Sequence, residues 1–137
     1  MRTKSTNTRL TAEQFQRMLD DELSEHDIQC RCVDWFRLVY KEPDYIIAAI
    51  PNGGKRNIAV ARKMKREGVL KGFADLIVLK QSKGKGALFI EMKTRKGVQQ
   101  QSQKEFEKYC NKNGYAYVVC RSEFDFKQTI KSYLGDK

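Results

Sequence analysis

Two short apolar runs decide the fold: Asp75-Leu76-Ile77-Val78-Leu79 and Ala87-Leu88-Phe89-Ile90-Glu91-Met92-Lys93. A connector rich in glycine and lysine, Ser82-Lys83-Gly84-Lys85-Gly86, joins them, and this pattern predicts two neighbouring strands. Side chains i and i+2 of a strand point to the same face, so Glu91 and Lys93 should project together while Met92 points away. If the strands pair as a hairpin, Asp75 and Glu91 lie near the same edge of the sheet.

Two carboxylates and an ammonium at one sheet edge can bind a divalent cation and prepare a water for attack on a phosphodiester. A surface salt bridge at a strand end is the simpler interpretation of any one such pair. The surrounding sequence has to separate the two interpretations.

The distribution of charge favours a polyanionic partner. The net charge is +10, and residues 51–100 alone carry 13 basic and 3 acidic side chains. Such a segment suits nucleic acid better than a membrane, because no amphipathic anchor accompanies it. A basic surface can also be merely solubilising. Against that alternative, two of the three acids are Asp75 and Glu91, and acids inside a phosphate-binding surface weaken binding unless a metal ion neutralises them.

Length and composition predict a single domain. The chain has 137 residues, of which 40% are hydrophobic, which suits one globular core. Residues 1–10 are predicted to form a flexible basic tail and residues 11–137 one domain. No run approaches the roughly 18 to 20 apolar residues that cross a bilayer, and the N-terminus lacks a signal-peptide core. We therefore expect an intracellular, cytoplasmic protein (in the host cytoplasm if phage-encoded) with no membrane partner.

Cysteine and histidine offer little material for a soft-metal or nucleophile site. The four cysteines, Cys30, Cys32, Cys110 and Cys120, include no C-x-x-C pair, so buried free thiols are favoured over a zinc site. His26 is the only histidine and suits a helix start better than a catalytic pair.

Two helices are predicted before the first strand, and the second could deliver a third carboxylate. Ser24-x-x-Asp27 resembles a capping box, so a helix should begin near Ser24. Glu25 lies one turn before Ile28, which starts the apolar stripe of that helix. It could face a cleft, or it could be a first-turn acid that complements the helix dipole. The residues alone leave these alternatives even.

The middle of the chain predicts a strand over residues 44–50, a turn at Pro51-Asn52-Gly53-Gly54 and a basic helix over residues 57–67. Lys55, Arg62 and Arg66 share one face, and Val60, Ala61 and Met64 occupy the opposite one, which could pack. The candidate DNA-binding residues are the cations around these motifs: Lys55, Arg56, Arg62, Arg66, Lys71, Arg95 and Lys96.

After Lys93 the sequence predicts a basic turn, a helix that points Gln103 toward the sheet, a strand over residues 116–120 and a final helix. A polar helix-boundary residue is the other interpretation of Gln103. The full order is α-α-β-α-β-β-α-β-α. It indicates an α/β fold, a mixed sheet flanked by helices.

These landmarks resemble the VRR-NUC family of the PD-(D/E)XK, restriction-endonuclease-like nucleases. The similarity runs from Ser24 to Leu134 and rests on motifs in a fixed order: Glu25-x-x-Ile28-Gln29, Pro51-Asn52-Gly53-Gly54 with Arg56, Gly72-x-x-Asp75-Leu76, Glu91-x-Lys93 followed by Gly97, and Gln103. Each motif alone is weak, whereas the ordered set is specific. One departure is Ala74, where the superfamily usually has proline.

The resemblance implies a restriction-endonuclease-like fold and a metal centre. Asp75, Glu91 and the Met92 backbone carbonyl would bind Mg²⁺, with Mn²⁺ as a substitute. Lys93 would orient or activate the water, Glu25 would join through the water shell of the metal, and Gln103 would support the site.

It also implies a metal-dependent deoxyribonuclease. Small stand-alone members of the family, of the phage and bacterial type, suggest branched replication or recombination DNA as substrate and a homodimer with two sites. A binding module that keeps the nuclease fold without catalysis is the alternative.

Overall fold

The computed structural model describes residues 9–21, 23–51 and 57–136. Its elements follow the order predicted from the sequence. They are α1 (Ala12–Asp21), α2 (Glu25–Val39), β1 (Ile47–Ala49), α3 (Ile58–Arg66), β2 (Leu76–Val78), β3 (Leu88–Met92), α4 (Gln101–Lys112), β4 (Ala116–Cys120) and α5 (Glu123–Leu134). The α/β class and the mixed sheet flanked by helices are confirmed.

The four strands form one sheet in the order β1-β2-β3-β4. The first two pairings are antiparallel and the last, β3 with β4, is parallel. The register pairs Leu76 with Ile90 and Met92 with Cys120. Residues just before β2 and at the end of β3 therefore share one edge of the sheet, as the hairpin pattern predicts.

Each face of the sheet is covered by helices. Helices α2 and α5 bury residues such as Ile28 and Phe126 against Ile90 and Met92 on one face. Helix α4 covers the other face, where Cys110 and the half-buried Phe106 pack with Phe89. Because side chains alternate along β3, Glu91 shares the face of Phe89, on the α4 side.

Side-chain caps fix where the helices start. Ser24 Oγ accepts a 3.1 Å hydrogen bond from the Asp27 N–H and donates to Asp27 Oδ2 at 2.8 Å. This confirms the predicted helix start, with Ser24 as the N-cap of α2 and Glu25 as its first residue. Asn57 caps α3 in the same manner, through a 2.8 Å bond from the Val60 N–H.

Two local expectations are corrected. The first strand covers only residues 47–49 of the predicted 44–50. Helix α3, all of which is described, has no buried residue. Its apolar face, with Val60 41% exposed, therefore does not pack into the core as the periodicity suggested. Phe15 and Met18 of α1 are likewise more than half exposed. Helical periodicity identifies an apolar face but does not identify what covers it.

Three of the four thiols are buried as predicted, and Cys30 is the exception. All four cysteines, each in the described part of the chain, are free, and Cys32, Cys110 and Cys120 are buried whereas Cys30 is exposed. Burial raises the pKa of Cys110 to about 11 and that of Cys120 to about 12. Among the described helices, none combines the length and hydropathy that a bilayer crossing requires.

Candidate active site

Asp75 and Glu91 lie side by side at the edge where β2 begins and β3 ends. Leu76 pairs with Ile90 in the antiparallel ladder. Asp75, which precedes Leu76, therefore lies next to Glu91, which follows Ile90. The Glu91 side chain projects on the α4 side of the sheet. The proximity is electrostatic as well as geometric, since the Asp75 carboxylate contributes to the raised pKa of Glu91. The pairing predicted from the sequence is present.

The backbone of β3 holds Asp75 in place. The Met92 N–H donates a 2.7 Å hydrogen bond to Asp75 Oδ2, and the Asp75 N–H donates to the Ile90 carbonyl at 3.1 Å. Asp75 immediately precedes β2, and its carboxylate accepts the Met92 N–H in place of a backbone carbonyl of a neighbouring strand. The N–H and C=O of one strand residue point to the same side, so the Met92 carbonyl also faces Asp75.

Glu91 is a buried acid with one oxygen unsatisfied. Its side chain is 3% exposed. Oε1 accepts a 2.8 Å hydrogen bond from Gln103 Nε2, whereas Oε2 has no hydrogen-bond partner. Burial first, and the Asp75 carboxylate second, raise the pKa of Glu91 to about 8, although Lys93 acts in the opposite direction. A cation placed at Oε2 would relieve both causes.

Lys93 completes the predicted triad. Its Nζ lies 3.7 Å from Glu91 Oε1, and its side chain is 13% exposed. The Lys93 N–H donates to the Cys120 carbonyl at 2.9 Å, so β4 fixes the backbone below the ammonium. Sequence alternation correctly placed this ammonium on the same face as Glu91.

Gln103 has both of the roles that the sequence left open. Its Oε1 accepts a 2.8 Å hydrogen bond from the Gln100 N–H at the start of α4, and its Nε2 donates to Glu91. The helix end therefore requires the amide oxygen, which leaves the amide nitrogen for the acid. The same side chain therefore contacts both the helix boundary and the Glu91 carboxylate.

Glu25 reaches the site from the opposite layer. It is the first residue of α2 and is exposed. Partial burial, followed by the nearby Asp75 carboxylate, raises its pKa, and Lys93 lowers it. The structure thus brings Glu25 within electrostatic reach of Asp75, at the rim of the edge that Glu91 occupies.

The residues fit a hard divalent cation through carboxylate and carbonyl oxygens. The buried and unpartnered Glu91 Oε2 is the observation that supports this fit. Within residues 9–21, 23–51 and 57–136, however, no group of three or more His, Cys, Asp or Glu could hold a metal ion. Asp75 and Glu91 therefore would be the side-chain ligands, and Glu25 would act from further away.

The predicted DNA-binding cations divide into described and undescribed residues. All of the described ones are exposed: Arg62, Arg66, Lys71, Arg95 and Lys96. The predictions for Lys55 and Arg56 lie outside the described residues. Arg95 and Lys96 form the turn that follows Lys93, so they are close to the carboxylates along the chain.

Arg121 contacts the turn that follows Lys93, and no sequence pattern predicted this contact. Its Nη1 donates to the Thr94 carbonyl at 3.0 Å and to the Gly97 carbonyl at 2.6 Å. The residue follows β4 and is 28 positions beyond Lys93. A lone arginine after a strand carries no local motif, so only the parallel β3–β4 pairing identifies the contact.

Comparisons with known proteins agree with this arrangement. The family model of the VRR-NUC domain matches residues 10–124. The chain belongs to the VRR-NUC domain family. The family resemblance found in the sequence motifs is thereby confirmed, and with it a nuclease-like fold.

A solved structure supports the same family. It is described as a VRR_NUC domain protein and superposes with a TM-score of 0.70 at 28% sequence identity. The alignment covers 82% of this chain and 88% of that chain. No curated protein matches the chain. VRR-NUC membership indicates a nuclease domain, and a domain of this family implies DNA binding and suggests the use of a divalent metal.

Proposed function

We propose that this VRR-NUC chain is a DNA endonuclease that hydrolyses phosphodiester bonds with Mg²⁺, for which Mn²⁺ can substitute. One observation carries the proposal. The buried Glu91 has an unpartnered oxygen, lies beside Asp75 and is 3.7 Å from the Lys93 ammonium. Ionising the buried Glu91 beside a second carboxylate costs free energy. A bound cation would offset that cost, so the arrangement is understandable if the site holds a cation.

The roles of the residues follow from their contacts. Asp75, Glu91 and the Met92 carbonyl would hold the cation. The chemistry that a bound divalent ion supplies at such a site is neutralisation of charge on the scissile phosphate and activation of a water. The Lys93 ammonium would orient the water and stabilise the negative charge that develops on the phosphate.

Two further residues would act on this pair from outside it. Gln103 holds Glu91 Oε1 by a 2.8 Å hydrogen bond, and Glu25 adds negative charge at the rim. Neither touches the phosphate in this proposal.

The exposed cations would bind the DNA backbone. Neutralising a phosphate releases a counterion, so each contact adds about 0.9 to the steepness of the salt dependence of binding. Lys71→Gln and Lys96→Gln should each lower that slope by about one unit. Lys112→Gln, an exposed lysine at the end of α4, is the matched control and should leave the slope unchanged.

Branched DNA and a homodimer with two sites form the finer part of the proposal. They rest on the likeness to small stand-alone members of the family. A cleavage panel tests them: a four-way junction, a flap and a plain duplex, each with Mg²⁺, Mn²⁺ or EDTA. We expect junction or flap to be cut faster than the duplex, and a dimer by light scattering under the same conditions. Equal rates on all three substrates would contradict the branched preference.

A non-catalytic binding module is the second candidate. The observation in its favour is that no group of three acidic or metal-binding side chains could hold a metal among the described residues. It predicts salt-dependent DNA binding without cleavage and without any effect of Mg²⁺. Asp75→Asn decides between the candidates: if the wild-type chain cuts DNA and the variant does not, the module is excluded.

A further inference from the structure

We infer that Arg121 is a positioning residue for the proposed cleavage reaction. It holds the turn from Thr94 to Gly97 and, through this turn, the side chain of Lys93. The inference rests on the proposed function and deepens it, because it explains how a flexible lysine stem is kept at the carboxylate edge.

The guanidinium of Arg121 binds the turn at two points. Nη1 donates to the carbonyls of Thr94 and Gly97, at 3.0 Å and 2.6 Å. The Gly97 N–H in turn donates to the Thr94 carbonyl at 3.0 Å. Hydrogen bonds from an ionised donor are stronger than neutral ones, and Arg121 is partly buried. This one side chain therefore reinforces a turn that its own backbone hydrogen bond already closes.

Arg121 itself is fixed to the scaffold. The backbone N–H of Arg121 donates to Asp125 Oδ2 at 3.1 Å. The buried Ser122 caps α5 by accepting from the Asp125 N–H at 3.0 Å. The preceding residue, Cys120, accepts the 2.9 Å hydrogen bond from the Lys93 N–H. The junction between β4 and α5 thus anchors residues 93–97 by one backbone bond and two side-chain bonds.

The turn also confines the side chain of Lys93. A Cβ added to Gly97 would lie 3.4 Å from Lys93 Cδ and 3.2 Å from Thr94 Oγ1. The lysine stem therefore passes directly over Gly97 on its way to Glu91. Lysine carries four rotatable bonds, so its ammonium has a defined position only if the stem is confined. Misplacement by about 1 Å can cost about 100-fold in rate.

The test is steady-state cleavage by the full chain with Mg²⁺, on whichever substrate of the panel the wild type cuts. Arg121→Gln should lower kcat by about 10- to 100-fold and change KM by less than about 3-fold, because the cations of the turn remain. Arg31→Gln is the control. Arg31 lies 4.0 Å from Glu123 at the same end of α5, so this variant loses the same charge without touching the turn.

Two further variants and one physical measurement complete the test. Arg121→Lys, which keeps the charge and several donors, should recover part of kcat. Hydrogen exchange at the Gly97 amide should be faster in Arg121→Gln than in Arg31→Gln. If Arg121→Gln does not fold, Gly97→Ala tests the contact between the turn and the Lys93 stem, because the added Cβ would lie 3.4 Å from Lys93 Cδ, and it should also lower kcat.

The possible results are distinguishable. Unchanged kcat in Arg121→Gln overturns the inference, as does unchanged kcat in Gly97→Ala when that variant is used instead. An equal loss of kcat in Arg31→Gln also overturns it. A loss in Arg121→Gln without any recovery by lysine also overturns it. Absence of cleavage by the wild type instead overturns the proposed function, and the inference with it.

Discussion

Gln103 Nε2 donates a 2.8 Å hydrogen bond to Glu91 Oε1, and the orientation of this amide is set by the start of a helix. Because Gln103 Oε1 already accepts from the Gln100 N–H, only the NH₂ group can face the acid. Glu91 thus receives a donor that favours its ionised form. The start of α4 is in this way part of the chemistry of the sheet edge.

Gln103→Glu should separate the two contacts. The new carboxylate can still accept from the Gln100 N–H, so we expect helix α4 and the free energy of unfolding to be nearly unchanged. Toward Glu91 it replaces a donor by a negative charge, and removing such a supporting contact typically costs about 10- to 100-fold in metal affinity or activity. Cleavage rates and Mg²⁺ titrations measure this effect. Activity equal to that of the wild type would show that the contact has only a capping role.

Lys93→Met should separate catalysis from metal binding. We expect kcat to fall about 100- to 1,000-fold, which is typical of removing one group that stabilises developing charge. Mg²⁺ should still raise the melting temperature, because the carboxylates remain. Asp75→Asn should lose both properties. Lys80→Met, which removes a lysine that packs over Tyr45, is the control and should retain both.

The stability of the metal-free protein should fall as the pH rises. The folded-state pKa of Glu91 is about 8, above the ordinary 4.5, so the folded state holds a proton that the unfolded state has already released. The favourable contribution is complete below about pH 4.5 and is lost progressively up to about pH 8, with a slope of at most about 1.4 kcal/mol per pH unit.

Urea unfolding in EDTA measures this slope. Glu91→Gln, which cannot ionise, should make it shallower, and saturating Mg²⁺ should reverse it in the wild type, because the cation favours the ionised carboxylate. A wild-type slope identical to that of Glu91→Gln would show that the acid is not buried as described.

Gly72→Ala should disturb the contact between the Asp75 loop and α4. Gly72 has a φ of +85° and a Cβ there would lie 2.5 Å from the Ser102 carbonyl carbon, one residue before Gln103. Gly84 has a similar φ of +77° but nothing within 4 Å, so Gly84→Ala isolates the backbone strain. We expect Gly72→Ala to lose about 1 to 3 kcal/mol more than Gly84→Ala, and to weaken Mg²⁺ binding as well. Equal losses would mean that the loop and the helix move independently.

The sequence predicted the carboxylate edge because its causes are local. Alternation along β3 placed Glu91 and Lys93 on one face, and the short connector forced the antiparallel pairing that brings Asp75 beside them. The N-cap at Ser24 defines the start of α2 and so the position of Glu25.

Other features depend on tertiary contacts that no local pattern contains. The exposed face of α3 looks the same in sequence as a packed one, because periodicity reports amphipathicity and not the neighbour. Arg121 meets the turn after Lys93 only because β3 and β4 are parallel. The double role of Gln103 required the position of the Gln100 N–H, which the composition of a glutamine-rich run does not specify.

The thiols give the chain a built-in position for a reporter group. Alkylating reagents react with the thiolate, and burial keeps Cys110 and Cys120 protonated and inaccessible, with Cys32 enclosed in the core. Cys30 is exposed, on the same helix as Glu25 and little more than one turn further along. A single maleimide treatment would therefore label Cys30 selectively, on the helix that begins with Glu25, without any engineered cysteine.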